Sequence, residues 1–418
     1  MKILWFSHFV PFPPRGGNAQ RSFNLIRQAS KEFEVDLVAF NQQSYSIDRI
    51  EQYVVELRRY CSNVEIWQMP VPWRKAKWWL SLAWSPLRKM PHTCRVYWSP
   101  QLSARWKRSL QDHQGDLVHF DSSDLALYVP AAKGFRKVLN HHNCESWMTY
   151  RRADVETNPL KKYFLRIQAY KLAKLEEDIC RRFDVNLAVS ELDANLIQER
   201  SPGAHVHVVE NGTDTHYFSP RGSEEDPWTV VFAGSLDWYP NISGLRFFIE
   251  RVWPLLKCER PQVRLYLAGK NPSKFILQTA IGDPSITVIA DPADIRPWIA
   301  RAAVFVCPIY DGGGTRLKIL DAMAMGKAIV STSVGCEGLR VNHGDDILIA
   351  DTPREMAREI GNAMDDQDKR LKMGARARER VQHLYSWEVI GKELSRAQRC
   401  ALTKHCDLSA GSSEPAQT

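Results

Sequence analysis

Short apolar runs separated by amphipathic helical stretches fill most of this chain, and they come in two successive sets. In the first set Ile3–Ser7, Val35–Phe40, Val64–Met69, Leu117–Phe120, Lys137–Asn140 and Val185–Val189 read as buried strands. Ala19–Ser30, Ile47–Tyr60 and Leu160–Phe183 read as helices between them, and Ser190 opens another with a capping residue. In the second set Trp228–Ala233, Arg264–Ala268, Ile286–Ile289, Val304–Cys307, Ala328–Ser331 and Ile347–Ile349 are the strands. Strands that alternate with helices need crossover connections, so each set predicts a parallel sheet covered on both faces. The expected fold class is α/β, with two doubly wound, Rossmann-like domains.

The polar, turn-rich stretch at residues 219–227 divides the two sets. The predicted organisation is therefore an N-terminal domain at 1–218, a linker at 219–227 and a second domain at 228–385. A C-terminal helix at 386–406 and a disordered tail at 407–418, rich in Ser, Gly, Pro and Ala, complete it.

With 418 residues and 44% hydrophobic side chains, two ordinary cores can be filled. The nine cysteines are scattered without a C-x-x-C pair, which is neither a zinc pattern nor a disulfide framework, and a reducing cytosol fits them. The first ten residues read as a buried strand rather than a secretory leader, because the apolar run is short and leads into Pro11-Phe-Pro-Pro-Arg. No stretch approaches the roughly 20 apolar residues that span a bilayer.

Charge is unevenly spread. Between Val71 and Leu110 there is no Asp or Glu, while nine Lys or Arg and six of the 14 tryptophans fall there. Cations interleaved with tryptophan suit an anionic membrane surface. The same residues also admit packed tryptophans flanked by solvated cations. A nucleic-acid role has no accompanying module signature and is not expected.

The run Tyr310-Asp-Gly-Gly-Gly-Thr-Arg-Leu-Lys-Ile-Leu-Asp-Ala-Met-Ala-Met-Gly326 carries the clearest chemistry. Gly312, Gly313 and Gly314 remove three side chains after a strand, so backbone N–H groups can approach a ligand. The N-terminus of the following helix points its partial positive charge at the same place, and Thr315, Arg316 and Lys318 add a hydroxyl and two cations. This is a candidate phosphate or diphosphate cradle; a tight turn with solvated cations is the alternative. A second glycine-rich loop, Pro14-Arg-Gly-Gly-Asn18, follows the first strand, and both loops should line the cleft beyond the strand ends. Neither is G-x-G-x-x-G, which argues against a dinucleotide oxidoreductase.

The order of these stretches resembles the GT-B glycosyltransferases of the retaining family 4 type, over about residues 1–395. The matching stretches are Gly16-Gly17-Asn18, Leu139-Asn-His-His-Asn-Cys-Glu145, Val209-Glu-Asn-Gly-Thr-Asp214, Phe232-Ala-Gly-Ser-Leu-Asp-Trp238, and the glycine run continued to Gly335-Cys-Glu-Gly-Leu339. The resemblance implies a nucleotide-sugar donor on the C-terminal domain and a glycan or lipid-linked acceptor on the N-terminal one. It implies transfer with retention of anomeric configuration in bacterial polysaccharide assembly, with no metal or other cofactor. Together with the cysteine usage and the basic, tryptophan-rich segment 71–110, the expectation is a cytoplasmic enzyme, peripheral at the inner face of the membrane.

By the same resemblance, His119, Asp311, Arg316 and Lys318 are the candidate catalytic residues. Gly16, Gly17, Ser235, Gly312, Gly313, Gly314, Thr315 and Asp321 would hold the donor, and Asn143 and Glu145 would lie on the acceptor side. The chain departs from the family pattern in places. The usual pair of glutamates falls on Gly313 and Asp321, and the usual Arg and Lys fall on Ser235 and Asn241. The expectation is that Arg316 and Lys318 supply the missing charge and that Asp311 stands in for the missing carboxylate. A nucleotide-sugar epimerase of the same architecture and a non-catalytic donor-binding scaffold are the rival readings.

Overall fold

The computed structural model describes residues 1–71, 76–113, 115–220, 222 and 224–403. The strands of the first set form one sheet: β1 Lys2–Ser7, β2 Glu34–Asn41, β3 Asn63–Gln68, β4 Leu117–Phe120, β5 Arg136–Asn140, β6 Val185–Ala188 and β7 Val206–Val208. Their order is β3-β2-β1-β4-β5-β6-β7, with every pairing parallel. The second set forms a sheet from β8 Asp226–Ala233, β9 Arg264–Gly269, β10 Ile286–Ala290, β11 Ala302–Cys307, β12 Ala328–Ser331 and β13 Leu348–Ile349. Its order is β10-β9-β8-β11-β12-β13, again all parallel.

The two-domain α/β expectation therefore holds. Burial on both faces explains why the strands read as continuous apolar runs, since β4, β6, β11 and β12 are buried along their whole length. Chain order reverses direction between β1 and β4 in one sheet, and between β8 and β11 in the other. Crevices at these two reversals are where open α/β sheets place ligands.

Three expectations need adjustment. The strand β8 begins at Asp226, inside the stretch assigned to the linker. Cys400 is disulfide-bonded, whereas the cysteine pattern suggested no such bond. The C-terminal helix, expected at 386–406 as a unit following the second domain, runs over Trp387–Thr403 and packs on the first domain. It crosses back and buries Trp387, Ile390, Leu394, Ala397 and Ala401 in the N-terminal core with Ile3, Leu25 and Leu187. Arg399 pairs with Glu32 at its far end, 2.7 Å away. The predicted tail, 407–418, lies outside the described residues.

Leu394 is fully buried in this shared core. Leu394→Ala is expected to cost about 2–5 kcal/mol, the usual range for a buried large-to-small change. Urea unfolding should show the loss in the transition of the N-terminal domain. A loss confined to the C-terminal domain would contradict the crossing helix.

Candidate active site

The glycine run leaves the end of β11 and reaches the helix Leu317–Ala324. Gly312 and Gly314 take positive φ, 104° and 70°, which L side chains rarely adopt. Arg316 determines the loop's shape. Its guanidinium turns back to donate to the carbonyls of Gly313 and Gly314, the latter at 2.7 Å. In a trans peptide the N–H points opposite its carbonyl. The N–H groups of Gly314 and Thr315 therefore face away from Arg316. The clamp fixes the direction of these two N–H groups, but the guanidinium itself is engaged within the loop. Asp311 is likewise spent locally: it is buried and accepts the Gly312 N–H at 2.5 Å. In this arrangement it does not stand in for the carboxylate missing at position 313.

Lys318 is placed differently. Its Nζ donates to Asn241 Oδ1 at 2.6 Å and lies 4.4 Å from the ring of Phe232. A Cβ built on Gly234 would come within 3.2 Å of that Nζ. Asn241 in turn donates to the Ser235 carbonyl at 2.6 Å. The charge absent at positions 235 and 241 is thus delivered to the same pocket from the neighbouring helix. Burial pulls the Lys318 ammonium down to about 8, with the nearby Arg316 acting in the same direction.

The N-terminal domain closes directly onto these groups. Gly17 approaches Leu317, and Gly16 approaches Lys270 Nζ, at 3.5 Å and 3.7 Å from the respective built Cβ positions. Lys270 follows Gly269 at the end of β9, its side chain is exposed, and the sequence reading missed it. A Cβ on Gly314 would meet Asn143 Oδ1 at 2.0 Å, and one on Gly313 would meet Met148 at 3.2 Å. Asn211 donates to Thr315 Oγ1 at 2.7 Å, and Thr213 donates to Asp321 Oδ1 at 2.7 Å. Arg151 pairs with Glu337 at 2.5 Å.

His119 leaves the site. It is fully buried and stacked on Trp5, with ring centroids 3.5 Å apart, and burial holds it far below its ordinary value. Its residue type suggested the site, but its place within β4 points it into the sheet's packing. The end of β4 instead presents Asp121, which accepts from Ser7 and Ser22 at 3.0 and 2.6 Å and from Asn140 at 2.7 Å. His8 and His142 flank it, each with one atom within 4.8 Å of the others, a spacing a cation could use. Both Asp121 oxygens are already taken by these donors, so the cluster fits a hydrogen-bonded floor better than a metal site. His142 Nε2 lies 2.9 Å from the Asp121 carbonyl, which can only accept. That fixes the proton on Nε2 and leaves Nδ1, which has no partner among the described residues, as an acceptor. Burial pushes both imidazoles down to about 3, so they are neutral.

Asn143, which sits opposite Gly314, donates to Glu145 at 3.3 Å. Burial, reinforced by Asp124, pushes the Glu145 carboxyl up to about 8. Asn211 and Gly212 are structural: Arg21 bonds Asn211, and a Cβ on Gly212 would strike Trp387.

Comparison with known proteins agrees with this geometry. Residues 50–217 match the family model Glycosyltransferase Family 4, and residues 227–366 match the model Glycosyl transferases group 1. The chain is 31% identical over 241 residues to an uncharacterized 44.6 kDa protein in the cps region of Klebsiella pneumoniae, covering 54% of this chain and 59% of that protein. It is 26% identical over 234 residues to the putative colanic acid biosynthesis glycosyltransferase WcaL of Escherichia coli K12, covering 52% and 57%. These alignments thus span less than two thirds of either relative. The crystal structure of Anabaena HepE in complex with UDP and glucose superposes with a TM-score of 0.69 at 14% identity, covering 96% of this chain and 99% of that one. The fold is GT-B. The chain belongs to the glycosyltransferases that join a family 4 N-terminal domain to a group 1 C-terminal domain.

Burial raises the Asp321 carboxyl to about 7, above its usual value near 4. The folded state then keeps a proton that the unfolded chain releases, so this group's penalty grows as pH rises from about 4 to 7 and stays full above. Asp321→Asn keeps the acceptor for Thr213 and removes the penalty. Its melting temperature should gain on wild type more at pH 8 than at pH 5, as read by calorimetry.

Proposed function

We propose that this chain is a retaining, metal-independent glycosyltransferase. It moves a sugar from a nucleotide-sugar donor to a glycan or lipid-linked acceptor in polysaccharide assembly, at the inner face of a membrane. The observation that carries the reading is Lys318 Nζ at the Asn241 and Gly234 pocket, with Lys270 facing Gly16 beside it. Two cations and the oriented amides of the glycine run meet at the reversal points of both sheets, where a leaving diphosphate would develop charge.

The relatives' printed roles support the sugar-transfer class: one lies in a cps region, one is named for colanic acid biosynthesis, and the HepE complex holds UDP and glucose. Retention is favoured by the state of the carboxyl groups. Glu145 holds its proton at neutral pH, and Asp121 is saturated with donors. The acceptor proton then goes to the diphosphate oxygen on the same face of the sugar.

A panel of UDP-, GDP-, ADP- and TDP-sugars scored by thermal stabilisation and turnover tests this. One donor should stabilise the protein, with turnover unaffected by EDTA and product of retained anomeric configuration by NMR. Free epimerised donor would favour the epimerase, and no stabilisation by any nucleotide would favour the scaffold. Lys318→Met should lower kcat/KM by about 10²-fold. Because Lys318 loses its proton near pH 8, wild-type affinity for the nucleoside diphosphate should fall as pH rises past 8. The variant should show no such fall.

A further inference from the structure

Of the basic, tryptophan-rich segment, only part reaches the surface. Trp106 is fully buried in the N-terminal core, and Trp78 and Trp98 pack against that core. Trp73, Arg74 and Lys75 lie outside the described residues. What remains is the helix Ala76–Ala83, which buries none of its residues, and the turn Ser85–Leu87. Trp79, Leu80 and Trp84 are each more than half exposed, and Leu87 is 80% exposed.

A second element, a helix that the sequence reading found but did not place on this surface, joins it. The helix Pro159–Ile179 holds the turn in place: Lys171 Nζ donates to the Ser85 carbonyl at 2.6 Å, and Gln168 to Ser85 Oγ at 3.1 Å. Toward its N-terminus, two to three turns from Lys171, the same helix exposes Leu160, at 81%, and Tyr163, at 68%. Lys77, Arg88 and Lys89 flank these apolar residues in sequence, are exposed, and have no ion-pair partner among the described residues.

We propose that this surface docks on the headgroup layer of an anionic lipid bilayer. An eight-residue helix is only about 12 Å long, so it lies along the surface rather than crossing it. Among the described residues no helix is long and apolar enough to cross. Tryptophan rings suit the headgroup level, leucines reach the acyl boundary, and the cations meet lipid phosphate. A second copy fits poorly: a two-fold contact would set Lys77, Arg88 and Lys89 against the same charges, and residues 71–110 contain no carboxylate to pair them.

The surface connects to the cleft. The helix Glu145–Val155 begins beside the glycine run, with Met148 against Gly313. After a three-residue turn the Pro159 helix folds back along it. Docking would hold the cleft near the bilayer, where a lipid-linked acceptor lies. In that respect the inference rests on the proposed reaction, although the docking chemistry does not.

The test is co-sedimentation of the full chain with phosphatidylglycerol–phosphatidylethanolamine vesicles, against phosphatidylcholine vesicles, at low and high salt. Wild type should pellet with the anionic vesicles only, and less at high salt. The combined variant Trp79→Ser, Leu80→Ser, Trp84→Ser, Leu87→Ser and the charge variant Lys77→Glu, Arg88→Glu, Lys89→Glu should each bind roughly tenfold or more weakly. Both should keep the wild-type melting temperature and its stabilisation by nucleoside diphosphate. No pelleting of wild type at low salt, or equal pelleting of wild type and variants, overturns the proposal. So does a concentration-dependent dimer that the serine variant abolishes. If vesicle binding holds while no nucleotide stabilises the protein, the transferase reading fails and the docking surface stands.

Discussion

Arg21 is the residue on which the cleft depends. It sits fully buried on the helix after the first glycine loop and makes four hydrogen bonds. Two go to Asn140 Oδ1 at 3.1 and 2.7 Å, one to the Glu210 carbonyl at 3.1 Å and one to Asn211 Oδ1 at 3.2 Å. Asn140 passes the connection to Asp121, which gathers Ser7 and Ser22. One guanidinium thus fixes the ends of β1, β4 and β5 relative to each other. Through Asn211 it also reaches Thr315 in the other domain. Desolvation lowers the Arg21 pKa to about 10, yet it keeps its charge at neutral pH, with Asp121 and Asp193 favouring the cation. A buried cation of this kind is tolerable only because its donors are met, and removing any partner would strand the rest.

On the donor side the same economy is achieved with different residues. The two cations of the glycine run divide their tasks. Arg316 gives its charge to the loop's own carbonyls and so fixes where the amides point. Lys318 remains the cation in the pocket, over Phe232 and against the neutral Asn241. A desolvated ammonium without a carboxylate partner is held in a costly state before any ligand arrives. Its lowered pKa records that cost, and an arriving diphosphate would relieve it. Preorganised charge of this kind needs no rearrangement when the leaving group departs.

The sheets were legible because their strands are buried on both faces and announce themselves as uninterrupted apolar runs. The short strand β7 was not, since Val206–Val208 is half-buried and too brief to show a period. Nor was the return of the C-terminal helix, whose apolar face is equally compatible with either domain. The glycine run was read correctly as a loop before a helix, but the roles of its cations were not separable. That distinction depends on Asn241, which lies 77 residues away from Lys318. His119 shows the reverse error: a histidine at a strand end looks functional in sequence, whereas its neighbour across the ladder, Trp5, makes it part of the core.

Gly313 and Gly314 read in sequence as a loss, because a carboxylate was expected at 313. Their surroundings give another account. Met148, from the N-terminal domain, stands 3.2 Å from where a Cβ at 313 would lie, and Asn143 Oδ1 would overlap one at 314. Gly314 also holds a φ of 70°. A side chain at either position would push against the opposing domain. The space a glutamate would need is occupied by the helix that also supplies Glu145 and Arg151. The glycines are therefore what permits the two domains to meet at this point, and the contacts of Asn211 with Thr315, Thr213 with Asp321 and Arg151 with Glu337 follow from that closeness. The departure at 313 is coupled to Met148, which would have to give way by a few tenths of an ångström to admit any side chain there.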